Sequence, residues 1–232
     1  MLPNIPFLID ALLTGMIDPD FAPGRGDSAI AKRAVTGSRR VGLLGIEGDA
    51  QVDLTVHGGR DKAIHHYPRD HYAGWASLIG DHALLRQAGA FGENISTTGM
   101  TEEAVCLGDR YRMGSALVEV AQGRQPCWKQ AHYLGVPRMV ALMVASGRTG
   151  WYYRVIEEGA VAAGDALVLE DRPCPEWPVA RLFGLLIGGK HRGEAEALAE
   201  LAGHPLLAQE WRQRARGLGG AATKGPDSGG GA

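Results

Sequence analysis

A Gly-Asp dipeptide that recurs in similar surroundings is the feature that most constrains the fold of this chain. It occurs at Gly48-Asp49, Gly108-Asp109 and Gly164-Asp165, and strand-like runs at residues 110–120 and 166–170 follow two of the copies. Glycine adopts positive φ at little cost, so each dipeptide marks a tight turn. Many short strands joined by such turns predict a mainly β protein built on a closed barrel rather than a parallel sheet.

Helical patterns interrupt the strands and then follow them. Pro68 suits the first turn of a helix, and Gly147 suits a helix end. Near residue 172 three prolines form a stiff linker, and leucine- and alanine-rich segments with helical spacing follow it. The helices that these patterns predict are 69–78 and 137–146, which cap the barrel, and 179–187, 194–202 and 205–216 beyond the linker.

These elements divide the chain into three parts. Residues 1–171 are predicted to form the barrel domain, and residues 172–217 a small three-helix domain. The last part, residues 218–232, is glycine-rich and predicted to be a disordered tail. A mainly β protein with helices is therefore expected, in which a short helical domain follows the barrel.

Composition and cysteine usage narrow the function classes. The formal net charge is −2 and no basic run alternates with aromatic residues, so neither DNA nor RNA is expected as a partner. No run of about 18 apolar residues occurs, so no membrane association is expected. The apolar N-terminal stretch has no basic residues before it and is interrupted by Asp10, so we do not expect a secretory signal peptide. Three widely spaced cysteines fit a reducing compartment, and we expect the protein in the cytoplasm.

Cys127 is the candidate reactive residue. Arg124 precedes it by three positions, Lys129 follows it by two, and Pro126 stiffens the approach. Neighbouring cations favour the thiolate, which attacks electrophiles and binds soft metals. We interpret Cys106 and Cys174 as small buried hydrophobic residues, which is the usual state of a lone cysteine.

A glycine pair beside an imidazole and two cations forms a second candidate site. The run His57-Gly58-Gly59-Arg60-Asp61-Lys62 lets backbone amides and side chains converge on an anion such as phosphate, or it is an ordinary solvated turn. His65 and His66 follow on a predicted strand, where alternation turns them to opposite faces, so at most one reaches a site. Asn94 carries both a donor and an acceptor, which suits the edge of a pterin or purine, or it closes an Asx turn.

Taken together, these motifs resemble the MOSC family, named after the C-terminal domain of molybdenum cofactor sulfurase, and more narrowly its bacterial 6-N-hydroxylaminopurine resistance type. The likeness covers about residues 5–169, and the helical segment resembles the small C-terminal domain of that type. It rests on motifs in a fixed order: Gly45-x-Glu47-Gly48-Asp49-x-Gln51, Val56-His57-Gly58-Gly59-x-Asp61-Lys62-Ala63, His66-Tyr67-Pro68, Phe91-Gly92-Glu93-Asn94, Gly108-Asp109, Arg124-x-Pro126-Cys127-x-Lys129 and Gly150-Trp151-Tyr152-x-Arg154-Val155.

The resemblance implies a MOSC-type β-barrel that binds molybdenum cofactor, the Mo-molybdopterin complex. It makes Cys127 both the metal ligand and the catalytic residue. The cations and the glycine turns would then both bind the anionic phosphate of the pyranopterin. The residues that we expect around the cofactor are Ser28, Lys32, His57, Gly58, Lys62, His66, Asn94, Arg124 and Lys129.

The implied activity is that of an oxidoreductase that detoxifies N-hydroxylated small molecules, such as purine bases and amidoximes. It would reduce them to the amine by oxygen atom transfer to molybdenum. The sequence has neither an iron-sulfur cysteine set nor a dinucleotide fingerprint, so we expect a separate flavin or iron-sulfur reductase as electron donor. Two alternatives stay open: a non-catalytic molybdopterin carrier and a sulfur-transfer protein with a Cys127 persulfide. The helical domain would shield the pocket, dock the reductase or pair subunits in a homodimer.

Overall fold

The computed structural model describes residues 6–52 and 58–222, and it is built around a closed seven-stranded barrel. The strands are β1 (Phe7–Thr14), β2 (Asp18–Ala22), β3 (Gly26–Ser28), β4 (Arg33–Ala34), β5 (Arg39–Gly42), β6 (Gly45–Ile46), β7 (Ile64–Pro68), β8 (Ile95–Thr97), β9 (Arg110–Met113), β10 (Ala116–Gly123), β11 (Trp151–Glu157), β12 (Gly159–Val161) and β13 (Ala166–Asp171). The helices are α1 (His71–Ile79), α2 (Trp128–Tyr133), α3 (Met139–Ser146), α4 (Val179–Leu186), α5 (Ala195–Gly203) and α6 (Gln209–Ala222), with 3₁₀ turns at Arg60–Lys62 and Ala83–Arg86.

The barrel strands follow the order β13-β9-β10-β11-β7-β8-β1, and β1 closes the ring by pairing with β13. Phe7 lies opposite Leu167 in the closing pair. All neighbours are antiparallel except β7 and β8, which run parallel with His66 opposite Ile95. Closure leaves no free edge in the ring, so the predicted barrel is confirmed. The glycines of the three Gly-Asp dipeptides have φ of 86°, 74° and 89°, as tight turns require.

The barrel interior is filled by aliphatic and aromatic side chains, among them Trp151 and Tyr153 of β11. Every residue of β10 is buried, because its inner side faces this core and α4 packs on its outer side. A second core joins α4, α5 and α6 and includes Leu107 from the barrel. A third core packs α1 against the region of α2 and α3 around Tyr67 and Phe91.

The five predicted helices are present, with α1 and α3 beginning two residues later than expected and α6 four residues later. Two features differ from the prediction. Residues 218–222 belong to α6 rather than to a glycine-rich tail, because the helix continues through Gly217, Gly219 and Gly220. Helix α2, directly after Cys127, was not predicted, since six residues are too few to display a period. The boundary between the domains at residue 171 stays a prediction. Within the described ranges, no helix has the length and hydrophobicity to cross a membrane.

Candidate functional site: a cationic cleft beside Cys127

Cys127 lies in a loop that leaves the end of β10 and enters α2. The amide of Arg124 donates to the carbonyl of Gly150 at 3.0 Å, which ties the start of this loop to β11. At its end, the carbonyl of Cys127 accepts from the amide of Gln130 at 3.1 Å. Cys127 is half-buried, whereas Cys106 and Cys174 are buried as predicted. The loop therefore holds one accessible thiol between two fixed points of the backbone.

The thiol opens into a cleft whose wall carries four cations and, among the described residues, no carboxylate. We call it the cationic cleft. Its lining residues are Ser28, Ala29, Ile30, Lys32, Ala50, Gln51, Val52, Lys62, His65, Phe91, Gly92, Asn94, Arg124, Cys127, Lys129 and Tyr152. Seven predicted site residues are thus brought together from four separate stretches of sequence. Every charged side chain in this wall is a cation, which favours an anionic ligand, although Lys32 and Lys62 each pair with an acid outside the wall.

Arg124 and Lys129 contact only neutral acceptors in the described part of the chain. The Nη2 of Arg124 donates to Gln130 Oε1 at 3.0 Å, and its Nη1 lies 3.8 Å from Met143 Sδ. The Nζ of Lys129 donates to the backbone oxygen of Asp27 at 2.6 Å. These contacts fix the direction of both side chains and leave both charges uncompensated. They are the cations best suited to hold an anionic ligand.

Lys32 and Asn94 are organised by Asp49, the acid of the first Gly-Asp turn. Asp49 Oδ2 accepts from Lys32 Nζ at 2.6 Å and from Asn94 Nδ2 at 2.8 Å, and its Oδ1 accepts from the amide of Gly15. Burial lowers the pKa of Lys32, and Asp49 opposes that shift. The second hydrogen of the Asn94 amide goes to Leu13 O, and its oxygen accepts from His65 N. Asn94 therefore braces the floor of the cleft with its own hydrogen bonds.

The prediction that His66, rather than its neighbour His65, reaches the site is wrong, because His65 lines the cleft instead. His66 is fully buried in the barrel, with Nδ1 3.0 Å from Tyr153 Oη and Nε2 2.8 Å from Thr97 Oγ1. The Nε2 of His65 is buried with no hydrogen-bond partner in the described ranges. Burial, assisted by the nearby Arg124, holds the pKa of His65 well below 6.5, so the imidazole is neutral at pH 7.

The remaining predicted residues divide by position. Lys62 lines the cleft and pairs with Glu210 of α6, with 2.6 Å between Nζ and Oε2. The hydroxyl of Ser28 is buried at the cleft and accepts from the amide of Ile30. Gly58 is half-buried and is not part of the cleft wall. His57 lies outside the described residues.

Four cleft residues escaped the sequence reasoning: Asp49 behind the wall, and Gln51, His65 and Tyr152 within it. Asp49 and Gln51 belong to the first of the ordered motifs and Tyr152 to the last, but nothing in the local sequence indicates that these residues lie close together. Gln51 Oε1 is buried without a partner in the described ranges, like His65 Nε2. Burial raises the pKa of Tyr152, which Arg124 partly offsets, so the phenol keeps its proton at neutral pH.

A comparison with protein-family models decides what kind of protein carries this cleft. The model described as the MOSC domain matches residues 53–168, half of the chain. This chain belongs to the MOSC family. The match includes Lys62, Asn94 and the whole Cys127 loop. The family membership inferred from the ordered motifs is thereby confirmed.

Relatives of the YiiM type support the same placement. The protein YiiM of Escherichia coli strain K12 is 46% identical over 145 residues, which are 62% of this chain and 65% of that protein. The crystal structure of YiiM from Geobacillus stearothermophilus has a TM-score of 0.77 at 32% identity, over 92% of this chain and 100% of that one. A protein named "Reductase" from Gibberella moniliformis is 35% identical over 75% of this chain, which spans only 31% of that longer protein.

MOSC domains are associated with the molybdenum cofactor, and the residues of the cleft fit such a group. One wall holds a soft thiol, two cations without an acidic partner and two buried polar atoms without a hydrogen-bond partner, all counted within residues 6–52 and 58–222. In such a group the metal would take the sulfur ligand, the phosphate would pair with the cations, and the pterin would accept or donate hydrogen bonds. The described residues contain no cluster of three or more His, Cys, Asp or Glu that would hold a bare metal ion.

Proposed function

We propose that this protein is an oxidoreductase that binds the molybdenum cofactor in the cationic cleft and reduces N-hydroxylated compounds, such as N-hydroxylated purines and amidoximes. The observation that carries the proposal is the half-buried Cys127 thiol set in a wall of four cations without a carboxylate. The relative named "Reductase" supports the reaction class. Detoxification of damaged bases in the cytoplasm is the role that this activity would serve.

Each residue of the cleft then has a separable task. Arg124 and Lys129 bind the phosphate, since their charges have no acidic partner in the described part of the chain. Cys127 would ligate the metal. The neutral His65 would orient the pterin through a hydrogen bond at Nε2, a buried atom without a hydrogen-bond partner among the residues that the structure describes.

The reaction consumes two electrons and two protons, releases water and leaves the amine. When bound, the cofactor supplies a metal centre that accepts the oxygen of an N–O bond. The electrons come from an external flavin or iron-sulfur reductase in this proposal. Tyr152 lines the cleft next to Cys127 and stays protonated, so it provides a hydroxyl donor beside the reacting group.

The test uses protein purified from a host that makes molybdenum cofactor. We expect stoichiometric molybdenum and the reduction of benzamidoxime and 6-N-hydroxylaminopurine with reduced methyl viologen as electron donor. Cys127→Ser, which replaces a soft ligand by a hard one of similar volume, is expected to lose both properties. The matched control is Cys174→Ser, since that thiol is buried beside His204 and away from the cleft.

Three outcomes would contradict the proposal in different ways. Well-folded protein with neither metal nor activity would overturn it altogether. Full cofactor occupancy without turnover would instead favour a molybdopterin carrier. A persulfide on Cys127, found by mass spectrometry in protein without metal, would favour sulfur transfer.

A further inference from the structure

A second cavity adjoins the cationic cleft at Cys127 and reaches under α6. We call it the acceptor cavity. Its walls are Lys62, Gln122, Gln125, Pro126, Cys127, Tyr152 and Glu210. Three of these residues, Lys62, Cys127 and Tyr152, are shared with the cationic cleft. The Cys127 region is therefore approached from two cavities of different lining.

Gln122 supplies the strongest indication of a ligand. It is 2% exposed, and its Oε1 has no hydrogen-bond partner in the described part of the chain. Its Nε2 donates to the carbonyl of Gly123 at 3.3 Å, which fixes the amide orientation. Leaving a buried carbonyl unpaired costs about 1–3 kcal/mol, so a donor from outside the chain is expected to meet it.

Two further side chains of the acceptor cavity, Glu210 and Gln125, also present hydrogen-bond acceptors beside the donors Lys62 and Tyr152. Glu210 Oε2 holds Lys62 Nζ at 2.6 Å, while its Oε1 accepts no hydrogen bond from the described residues. Gln125 Oε1 receives only a long contact, 3.5 Å from Arg214 Nη1. Three side-chain oxygens thus line a cavity of about 560 Å³, including its open mouth. Such a wall suits a compact ligand rich in N–H donors, and it differs from the anion-binding wall of the neighbouring cleft.

We propose that the acceptor cavity binds the substrate, a planar amidine or aminopurine that carries an N-hydroxyl group. The inference takes the reaction from the proposed function and adds where the substrate binds and which groups recognise it. The N–H groups of the substrate donate to Gln122 Oε1 and to Glu210 Oε1. The N-hydroxyl group then points toward Cys127, where the two cavities meet. Amidines and aminopurines share this donor pattern, so one wall serves both classes.

This assignment gives α6 a part in recognition. Glu210 is the contribution of the helical segment to the wall, and the ion pair with Lys62 holds its carboxylate over the cavity. Arg214, one helical turn further along α6, contacts Gln125 in the cysteine loop. The helical segment therefore completes the substrate cavity that the barrel leaves open.

The direct test measures the binding of adenine and benzamidine, which have the donor pattern but cannot be reduced. We expect Gln122→Met and Glu210→Gln to weaken binding by about tenfold in calorimetric titrations, since each removes one acceptor at nearly constant volume. Glu196→Gln is the matched control, because Glu196 is an exposed acid of α5 and lines neither cavity. Molybdenum content should equal that of the unmodified protein in all three variants.

The outcomes separate this proposal from the proposed function. Unchanged adenine and benzamidine binding in both variants, or no binding by the unmodified protein, overturns the substrate cavity. A different result is that the variants weaken adenine and benzamidine binding although the protein has neither molybdenum nor reductase activity. That result overturns the proposed reaction but supports the substrate cavity. If Gln122→Met does not fold, Glu210→Gln decides, because Glu210 is more than half exposed. In active protein, both variants should raise KM about tenfold with little change in kcat.

Discussion

Lys62 of the barrel and Glu210 of α6 form an ion pair beside Cys127, with 2.6 Å between Nζ and Oε2. The lysine side chain is 12% exposed and the glutamate side chain 55%. The pair joins a residue of the cationic cleft to a residue of the helical segment. Solvent screens the carboxylate, so the contact contributes little to stability while it orients both groups.

We therefore predict that Glu210→Gln lowers the free energy of unfolding by less than about 1 kcal/mol. Urea denaturation at pH 7 measures this change. A loss of more than about 2 kcal/mol would mean that Glu210 is chiefly a structural residue. That result would weaken its use as a probe of substrate binding.

Lys129→Met should reduce the molybdenum retained after gel filtration. Among the described residues the lysine side chain donates only to the backbone oxygen of Asp27, so the substitution removes a cation while it disturbs one hydrogen bond. A hydrogen bond between charged groups contributes about 1.5–3 kcal/mol, which corresponds to tenfold or more in affinity. Lys190→Met, at an exposed lysine away from the cleft, is the control. Equal metal content in the two variants would contradict the role of Lys129.

Stability should fall as the pH decreases from 7 to 5, with His66 as one cause. Burial lowers the pKa of His66 to about 3, while the unfolded chain titrates near 6.5. Between these values the unfolded state binds more protons, so acid favours unfolding. Tyr153 beside it stays neutral, because burial raises its pKa. His66→Gln should reduce the difference in the free energy of unfolding between pH 7 and pH 5 by about 2 kcal/mol. An unchanged slope in urea titrations would refute this assignment.

Gly123→Ala should destabilise the packing of the helical segment on the Cys127 loop. A Cβ at Gly123 would lie 2.9 Å from the ring of Trp211, which is buried in the core of α4, α5 and α6. Such overpacking costs about 1–3 kcal/mol. Gly217→Ala is the matched control, since a Cβ there meets nothing within 4 Å and α6 gains up to about 1 kcal/mol of helix propensity. The midpoint temperature of thermal unfolding should therefore fall in Gly123→Ala and rise in Gly217→Ala.

The sequence predicts the part of the site whose residues are close together along the chain. Arg124, Cys127 and Lys129 occupy one loop, so their proximity follows from spacing alone. The barrel followed from the glycine turns, because a turn constrains φ within two residues. The family resemblance added Ser28 and Lys32 and placed Asn94 with them, although nothing in the residues themselves connects these three to Cys127.

The rest depended on contacts between distant residues. Strand alternation separates His65 from His66 but does not say which face meets the cleft, because both sides of β7 are buried. The bond from Lys32 to Asp49 crosses 17 positions, and the pair of Lys62 with Glu210 crosses 148. Asp49 and Glu210 pair with the other two cations of the cleft. Arg124 and Lys129 can be recognised as the cations without an acidic partner in the described ranges only when these two pairs are known.

The ring of strands also has a consequence for biosynthesis. Strand β13 pairs with both β9 and β1, so it joins the two sides of the barrel. A ribosome adds about 5–20 residues per second, and until Ala166–Asp171 has emerged the nascent barrel keeps two open edges. Those edges expose unpaired amide and carbonyl groups that can template pairing with another chain. A nascent chain that stalls before Ala166 should therefore aggregate even though most of its strands have already been made.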